Sequence, residues 1–165
     1  MKTLKISTIA KTLVIGSLLC ATGVMASEFG TGKINAMAFA KNDLIVDMTS
    51  TEETQVPDMT VSFKGQGYAI VRFCANGNMF GTGSGATQVT AQLDGVQLGD
   101  EIQFFTINDS AASPRCFEWI TDSLLPGTHT ATIFARLTAT TGAELVGRFH
   151  DSVLTVHYRI APNKR

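Results

Sequence analysis

Four carboxylates are the side chains of this sequence with the clearest potential for catalysis. They are Glu101, Asp109, Glu118 and Asp122. Two carboxyl groups held about 5 to 10 Å apart can cleave a glycosidic bond, one as the acid and the other as nucleophile or base. The spacing of these four residues in the sequence gives no reason to choose two of them as a catalytic pair. A periplasmic carboxylate-based hydrolase is therefore kept as an alternative interpretation.

Motifs for nucleophilic, metal-dependent or cofactor chemistry are absent from the sequence. The segment 81–85 reads Gly-Thr-Gly-Ser-Gly, which places its serine one position away from that of a Gly-x-Ser-x-Gly elbow. The glycines are not followed by the Gly-Lys-Ser/Thr of a phosphate loop. His129, His150 and His157 stand in no His-x-His or cysteine-rich tract, and His129 is expected to bond the backbone of the turn before it. We expect no catalytic residue, no metal and no cofactor.

Cys74 and Cys116 remain as a pair once a leader containing Cys20 is set aside. An even pair in an oxidising compartment predicts one disulfide. Closing a loop of about 42 residues would stabilise the fold by roughly 4 kcal/mol in the chain-entropy model. The alternative is a free thiol together with a buried cysteine.

The charges beside the two cysteines indicate how their strands pair. Antiparallel pairing with the cysteines opposite each other gives the pairs Cys74–Cys116, Arg72–Glu118 and Ile70–Ile120. Opposite charges then face each other, which favours this register. A bridge between two sheets would instead bury both charged side chains at a cost of several kcal/mol. We therefore predict a disulfide within one sheet, on its outer face, with the core on the other side holding Phe73, Phe117 and Trp119.

Exposed apolar residues near this bridge are the expected contacts for a partner. We predict a strip formed by Tyr68, Ile70 and Ile120, or a mobile loop over residues 76–85 that includes Phe80, because binding residues concentrate on loops and apolar patches. A small carbohydrate-binding module is a further alternative. It would use an exposed aromatic such as Phe80 or Trp119.

Two segments with alternating polarity organise the chain. In residues 128–139 and 152–160 every second side chain is apolar or small, and the others are mostly threonine or charged. This period of two predicts half-buried strands with one wet face. Similar short segments precede them, with Asp94-Gly95 as a hairpin signal, residues 65–67 as a turn and residues 75–86 as a flexible loop or hairpin end.

These segments amount to about eight short strands, separated by Gly, Pro and Asp turns and accompanied by no clear amphipathic helix. The stretch 101–107 is apolar on both faces, which favours a central strand. The sequence thus predicts an all-β protein, an antiparallel β-sandwich or jelly roll with one disulfide.

The first 26 residues have the pattern of a signal peptide. Lys2, Lys5 and Lys11 precede an apolar stretch, and small residues precede Ser27. We expect a periplasmic or secreted protein with a single domain over residues 27–165. An uncleaved anchor, or a lipid on Cys20, is the alternative, and no stable membrane span is expected after cleavage.

Electrostatics argue against a nucleic acid partner. The chain has 13 basic and 14 acidic residues; three lysines and no acids lie in the first 26 residues, so the remainder has 10 against 14, a net charge of −4. Binding to a phosphate backbone requires a basic footprint, and no cluster of Lys or Arg is present here.

The last part of the chain resembles secreted bacterial β-sandwich domains. The resemblance rests on the segment Leu125-Pro126-Gly127-Thr128-His129-Thr130, on the alternating strand that follows it and on a final Leu-Thr-Val strand at residues 154–156. Similar features occur in immunoglobulin-like modules and in jelly rolls of the C1q and tumour-necrosis-factor group. The resemblance covers about a quarter of the chain after residue 26. It implies a sandwich and allows a homotrimer, but it assigns no functional residue, and the collagen-like stalk and tandem repeats that often accompany such modules are absent from the sequence.

Taken together, these patterns favour an exported, non-enzymatic β-sandwich that binds a protein or glycan partner or takes part in a surface assembly. One sandwich fold serves many functions, so the ligand has to be argued from the site.

Overall fold

The computed structural model describes residues 25–29, 33–107, 111–121, 124–140 and 143–160, with side chains from residue 36 onward. Its ten strands are β1 (Met25–Phe29), β2 (Lys33–Asn42), β3 (Val46–Met48), β4 (Thr54–Thr82), β5 (Gly85–Leu93), β6 (Val96–Gln97), β7 (Ile102–Thr106), β8 (Ser113–Ile120), β9 (Leu124–Ala139) and β10 (Glu144–Ile160). The part of the chain described contains no helix that could cross a membrane.

Every strand pair is antiparallel, and the strands form two layers that share β4. The front layer contains the second half of β4 between β10 and β8, with β2, β1 and β3 beyond β10. The back layer contains the first half of β4, then β9 and β5, with β6 and β7 on the far side of β5. This architecture confirms the predicted all-β antiparallel sandwich.

The core lies between the inner faces of the two layers. Alternation puts most of the apolar side chains of β9 and β10 inside, as predicted, and leaves the polar set outside, but Ile160 at the end of β10 is 40% exposed. Four fully buried rings come from both layers and pack with centroids 4.9 to 5.9 Å apart: Phe73, Phe104, Phe105 and Phe149. Aromatic side chains bury large apolar areas, so this cluster is a main source of core stabilisation.

The predicted turn at residues 65–67 is wrong, because β4 continues through it as one strand. Pairing shifts register between Gly65 and Gly67, where the strand leaves the back layer for the front layer. Gly67 has a φ of 79°, a conformation that favours glycine. At Gly65 a Cβ would lie 3.1 Å from the rings of Phe63 and Tyr158. These glycines allow a corner within a strand instead of a hairpin.

The loop predicted over residues 75–86, including the mobile contact loop over residues 76–85, is also wrong for most of its length. β4 extends to Thr82 and β5 begins at Gly85, so only a short hairpin end remains. The glycines here allow close packing. A Cβ at Gly77 would lie 2.6 Å from the ring of Phe105, and one at Gly85 would overlap the carbonyl of Thr138.

The predicted hairpin at Asp94-Gly95 is confirmed, whereas the predicted central strand over residues 101–107 is wrong. Asp94-Gly95 does form a hairpin turn, with φ values of 51° and 80°, between β5 and β6. The stretch 101–107 is not a central strand, because β7 pairs only with β5 among the residues that the structure describes. Phe104 and Phe105 are nevertheless both buried.

Candidate binding groove

The disulfide joins Cys74 of β4 to Cys116 of β8 on the outer face of the front layer, with Cα atoms 4.0 Å apart. The neighbouring pairs in the ladder are Arg72–Glu118 and Ile70–Ile120. Both the bridge within one sheet and the register predicted from the charges are confirmed. The bridge fixes β8, which pairs with β4 alone among the described strands, at the position where the groove begins.

Behind the bridge the alternate residues of β8 face the core. Trp119 is 6% exposed and Phe117 is half-buried, with its ring 5.5 Å from that of Phe104. The suggestion that Trp119 stacks on a carbohydrate is therefore wrong, since its face is covered by protein.

Phe80 lies elsewhere on β4, outside the groove. It is 37% exposed, and the guanidinium of Arg148 lies 4.9 Å from its ring centroid. Arg148 also forms a two-point ion pair with Asp47. The structure thus separates Phe80 from the other three predicted contact residues.

Arg72 and Glu118 form an ion pair on the outer face. Arg72 Nε donates a hydrogen bond to Glu118 Oε1, and Nη2 contacts the same oxygen. The two side chains are 49% and 45% exposed, so solvent screens the pair and its contribution to stability is small. The pair does hold both side chains in one orientation at the edge of a groove.

A groove of about 330 Å³ crosses the outer face of the front layer. Strands β8, β4 and β10 supply its walls, which are lined by Tyr68, Ile70, Arg72, Glu118, His157, Tyr158 and Arg159. Two of the predicted contact residues, Tyr68 and Ile70, lie in these walls. Ile120 lies beside them, paired with Ile70 in the ladder and 72% exposed.

The contribution of β10 to this groove was missed in the sequence. His157 pairs with Ile70, and Arg159 follows on the same outer face, while Tyr158 between them is 7% exposed. The alternation of residues 152–160 does indicate that His157 and Arg159 point outward. It does not reveal that β10 lies next to β4, because that pairing joins segments about 90 residues apart.

His129 has a structural role at the start of β9. Its Nε2 lies 2.9 Å from the carbonyl of Leu125, which confirms the predicted bond to the turn, and its Nδ1 lies 2.7 Å from Asp94 Oδ2. Burial tends to lower the pKa of His129, but the bonds to Asp94 and to the Leu125 carbonyl outweigh it and raise that pKa. Both ring nitrogens face oxygen acceptors, so the imidazolium form satisfies both contacts.

The candidate catalytic carboxylates that the structure describes lie on opposite outer faces. Glu118 pairs with Arg72 on the front layer, and Glu101 makes a two-point ion pair with Arg136 on the back layer. Asp109 and Asp122 lie outside the described residues. Over the described ranges, no three His, Cys, Asp or Glu side chains are grouped so that they could hold a metal ion.

A second hollow of about 250 Å³ lies on the outer face of the back layer. It is lined by Thr51, Glu52, Glu53, Thr90, Gln97, Glu101 and Arg136. Two of its carboxylates are already engaged, Glu101 by Arg136 and Glu53 by the hydroxyl of Thr90. This hollow also lacks an exposed aromatic ring, which makes the front groove the stronger candidate.

No protein-family model matches the sequence, and a search of curated proteins finds no match. Among solved structures, dimeric latent PorU from Porphyromonas gingivalis has 11% identity and a TM-score of 0.45, over 76% of this chain and 13% of PorU. The C-terminal domain of the sugar-binding protein EclA has 8% identity and a TM-score of 0.40, over 68% and 78%. The C-terminal CBM6 of LamC, a marine laminarinase from Zobellia galactanivorans, has 10% identity and a TM-score of 0.34, over 80% and 87%. Identities and TM-scores this low assign no residue and no ligand to this chain.

Proposed function

We propose that this chain is an exported, non-catalytic binding domain that holds a saccharide in the groove of its front layer. The observation that carries the proposal is the exposed ring of Tyr68, 57% accessible, in one groove with hydrogen-bonding side chains from three strands. The groove volume of about 330 Å³ is at the lower end of the range for small-molecule sites.

This combination of groups suits the chemistry of a sugar. A pyranose ring has an apolar face of C–H groups that packs on an aromatic ring, and its rim of hydroxyls takes hydrogen bonds from planar polar groups. Tyr68 supplies the ring, and the pair Arg72–Glu118 supplies both donors and acceptors. The disulfide next to that pair limits the motion of β8, which reduces the ordering needed on binding.

The disulfide also supports export, since such bonds persist in the periplasm and outside the cell. A signal peptide over residues 1–26 and a mature domain over residues 27–165 complete this proposal. β1 begins at Met25, so cleavage before Ser27 would remove its first two residues.

A protein partner or a surface assembly, including a homotrimer, is the second candidate. The observation in its favour is the exposure of Ile120, 72%, next to Tyr68 and Ile70. Contiguous apolar residues on a surface mark many interaction sites. Light scattering on the mature protein tests it. A trimer that dissociates when Ile120 is changed to Asp would support a role in assembly. A monomeric wild-type protein would contradict the homotrimer and favour binding of a ligand in the groove.

The saccharide proposal is tested by a glycan array followed by calorimetry on the glycans that bind. We expect Tyr68→Ala to remove binding, because the stacking face is lost, and Tyr68→Phe to keep most of it. Phe80→Ala is the matched control, an exposed aromatic outside the groove. Circular dichroism verifies that each variant is folded. Failure of every glycan to bind, or unchanged affinity in Tyr68→Ala, would overturn the proposal.

A further inference from the structure

We infer that the groove selects anionic saccharides, with Arg159 binding the carboxylate or sulfate group. This inference rests on the proposed saccharide-binding function and specifies its ligand class. It depends on the charges that line the groove and on the irregular pairing of β4 with β10.

Arg159 is exposed and lines the groove at the end of β10. Among the residues that the structure describes, it has no ion pair or side-chain hydrogen bond. The one carboxylate in the groove wall, Glu118, is taken by Arg72. Arg159 is therefore available to a ligand, whereas Arg72 is already neutralised by its partner.

The charge of the groove contrasts with that of the chain. Two arginines and one glutamate line it, a formal charge of +1 with His157 neutral. Residues 27–165 carry a net charge of −4, from 10 basic and 14 acidic residues. A guanidinium binds a carboxylate or a sulfate through two parallel N–H groups, which gives direction as well as attraction. An anionic group on the ligand would neutralise the groove without disturbing the Arg72–Glu118 pair.

The irregular pairing brings Tyr68 close to Arg159. Tyr158 pairs with Ala69, but Arg159 pairs with Gln66, so Gly67 and Tyr68 are extra residues on β4 at this step. Bulges of this kind redirect side chains beside binding sites. Tyr68 and Arg159 consequently line the same groove, where the ring can stack on a sugar while the guanidinium holds its acid group.

Two matched ligand pairs test this inference by calorimetry on the mature, disulfide-bonded protein. The first pair is trigalacturonic acid and its methyl ester, and the second is dextran sulfate and dextran of the same size. Each pair differs only in the anionic group, so the first reports recognition of a carboxylate and the second recognition of a sulfate. The proteins compared are wild type, Arg159→Gln, Tyr68→Ala and Lys64→Gln. Lys64 is an exposed cation of the back layer, and its substitution changes net charge by the same amount.

We expect wild type to bind the acidic member of at least one pair about tenfold more tightly than the neutral member, a difference that corresponds to one charge-assisted contact. Arg159→Gln should abolish that preference, so that the acidic member binds no more tightly than the neutral member of the same pair. Tyr68→Ala should weaken both members, and Lys64→Gln should resemble wild type.

Equal affinity for acidic and neutral members, or an acid preference that survives in Arg159→Gln, would overturn the inference while saccharide binding itself stands. Loss of the preference in Lys64→Gln as well would show a general charge effect and overturn it too. If neither member of either pair binds and the glycan array is silent, both the inference and the proposed function are wrong.

Discussion

His129 Nδ1 lies 2.7 Å from Asp94 Oδ2, and this contact joins the start of β9 to the turn between β5 and β6. Asp94 Oδ1 also accepts a hydrogen bond from the backbone N–H of Thr130 at 2.7 Å. One carboxylate thus binds a ring and a backbone group of the same strand. The protonated form of His129 completes the arrangement.

The stability of the fold should therefore depend on the proton of His129. The folded-state pKa is raised despite burial, because Asp94 and the Leu125 carbonyl hold the imidazolium. The stabilisation is complete below the unfolded-state pKa of about 6.5 and is lost as pH rises through the higher folded-state value. At pH 6 we expect His129→Asn to lower the free energy of unfolding by about 1–2 kcal/mol. Urea denaturation of both proteins between pH 5.5 and 9 measures this difference, and a difference that does not shrink at high pH would contradict the prediction.

Gly147 packs against Thr87, and the contact leaves no room for a side chain. A Cβ at Gly147 would overlap Thr87 Oγ1, which is buried and has no hydrogen-bond partner among the described residues. We expect Gly147→Ala to lower the free energy of unfolding by about 1–3 kcal/mol through overpacking. Thr87→Ala alone should cost only about 1 kcal/mol, because the loss of an unsatisfied hydroxyl offsets part of the cost of removing the buried methyl group.

The double variant Gly147→Ala with Thr87→Ala should recover most of the loss, since the new methyl group then occupies the space of the hydroxyl. Denaturation of the two single variants and the double variant forms a thermodynamic cycle. Additive losses in the double variant would show that the steric conflict involves other atoms.

Removing the disulfide should cost stability without creating a cavity. The bridge closes a loop with a sequence separation of 42, which corresponds to about 4 kcal/mol in the chain-entropy model. Both cysteines lie outside the core, so Cys74→Ala with Cys116→Ala should match wild type measured in a reductant to within about 1 kcal/mol. Urea denaturation with and without reductant provides the comparison. A much larger loss in the double variant would indicate that the cysteines contribute packing.

The ion pair Arg72–Glu118 should matter for binding more than for folding. Both side chains are about half exposed, so Glu118→Gln and Arg72→Met should each change the free energy of unfolding by less than about 1 kcal/mol. Each should weaken saccharide binding, because Arg72 and Glu118 line the groove. Denaturation and calorimetry on the same samples separate the two effects. A loss of several kcal/mol in stability would show that the pair is a folding determinant.

The features that could be predicted from the sequence depend on residues close together in the chain, or on a charged side chain that has a single suitable partner of opposite charge. Alternation in residues 128–139 and 152–160 identified the buried faces of β9 and β10. The register of β4 with β8 followed from two cysteines and one pair of opposite charges, Arg72 and Glu118. Side chains alternate between the two faces of a strand, and residues directly opposite on neighbouring strands interact, so few other arrangements of these strands are possible.

The predictions that failed depended on contacts between distant segments. In the sequence Gly77 suggests a flexible backbone, yet a Cβ there would overlap the backbone carbonyl of Arg148 in β10 and lie 2.6 Å from the ring of Phe105 in β7. The turn predicted at residues 65–67 is a corner of β4 because β9 and β10 pair with the two halves of that strand. Arg159 was not identified as a groove residue for the same reason, since only the pairing of β10 with β4 brings it beside Tyr68.

The sharing of β4 by the two layers has a consequence for how the protein unfolds. Its 29 residues pair with β9 in one layer and with β8 and β10 in the other. Neither layer can separate without removing the hydrogen-bonding partners of a strand that the other layer also uses. The slowest amide protons of β9 and β10 should therefore exchange with solvent in a single cooperative opening, with a free energy of opening equal to that for unfolding of the entire domain.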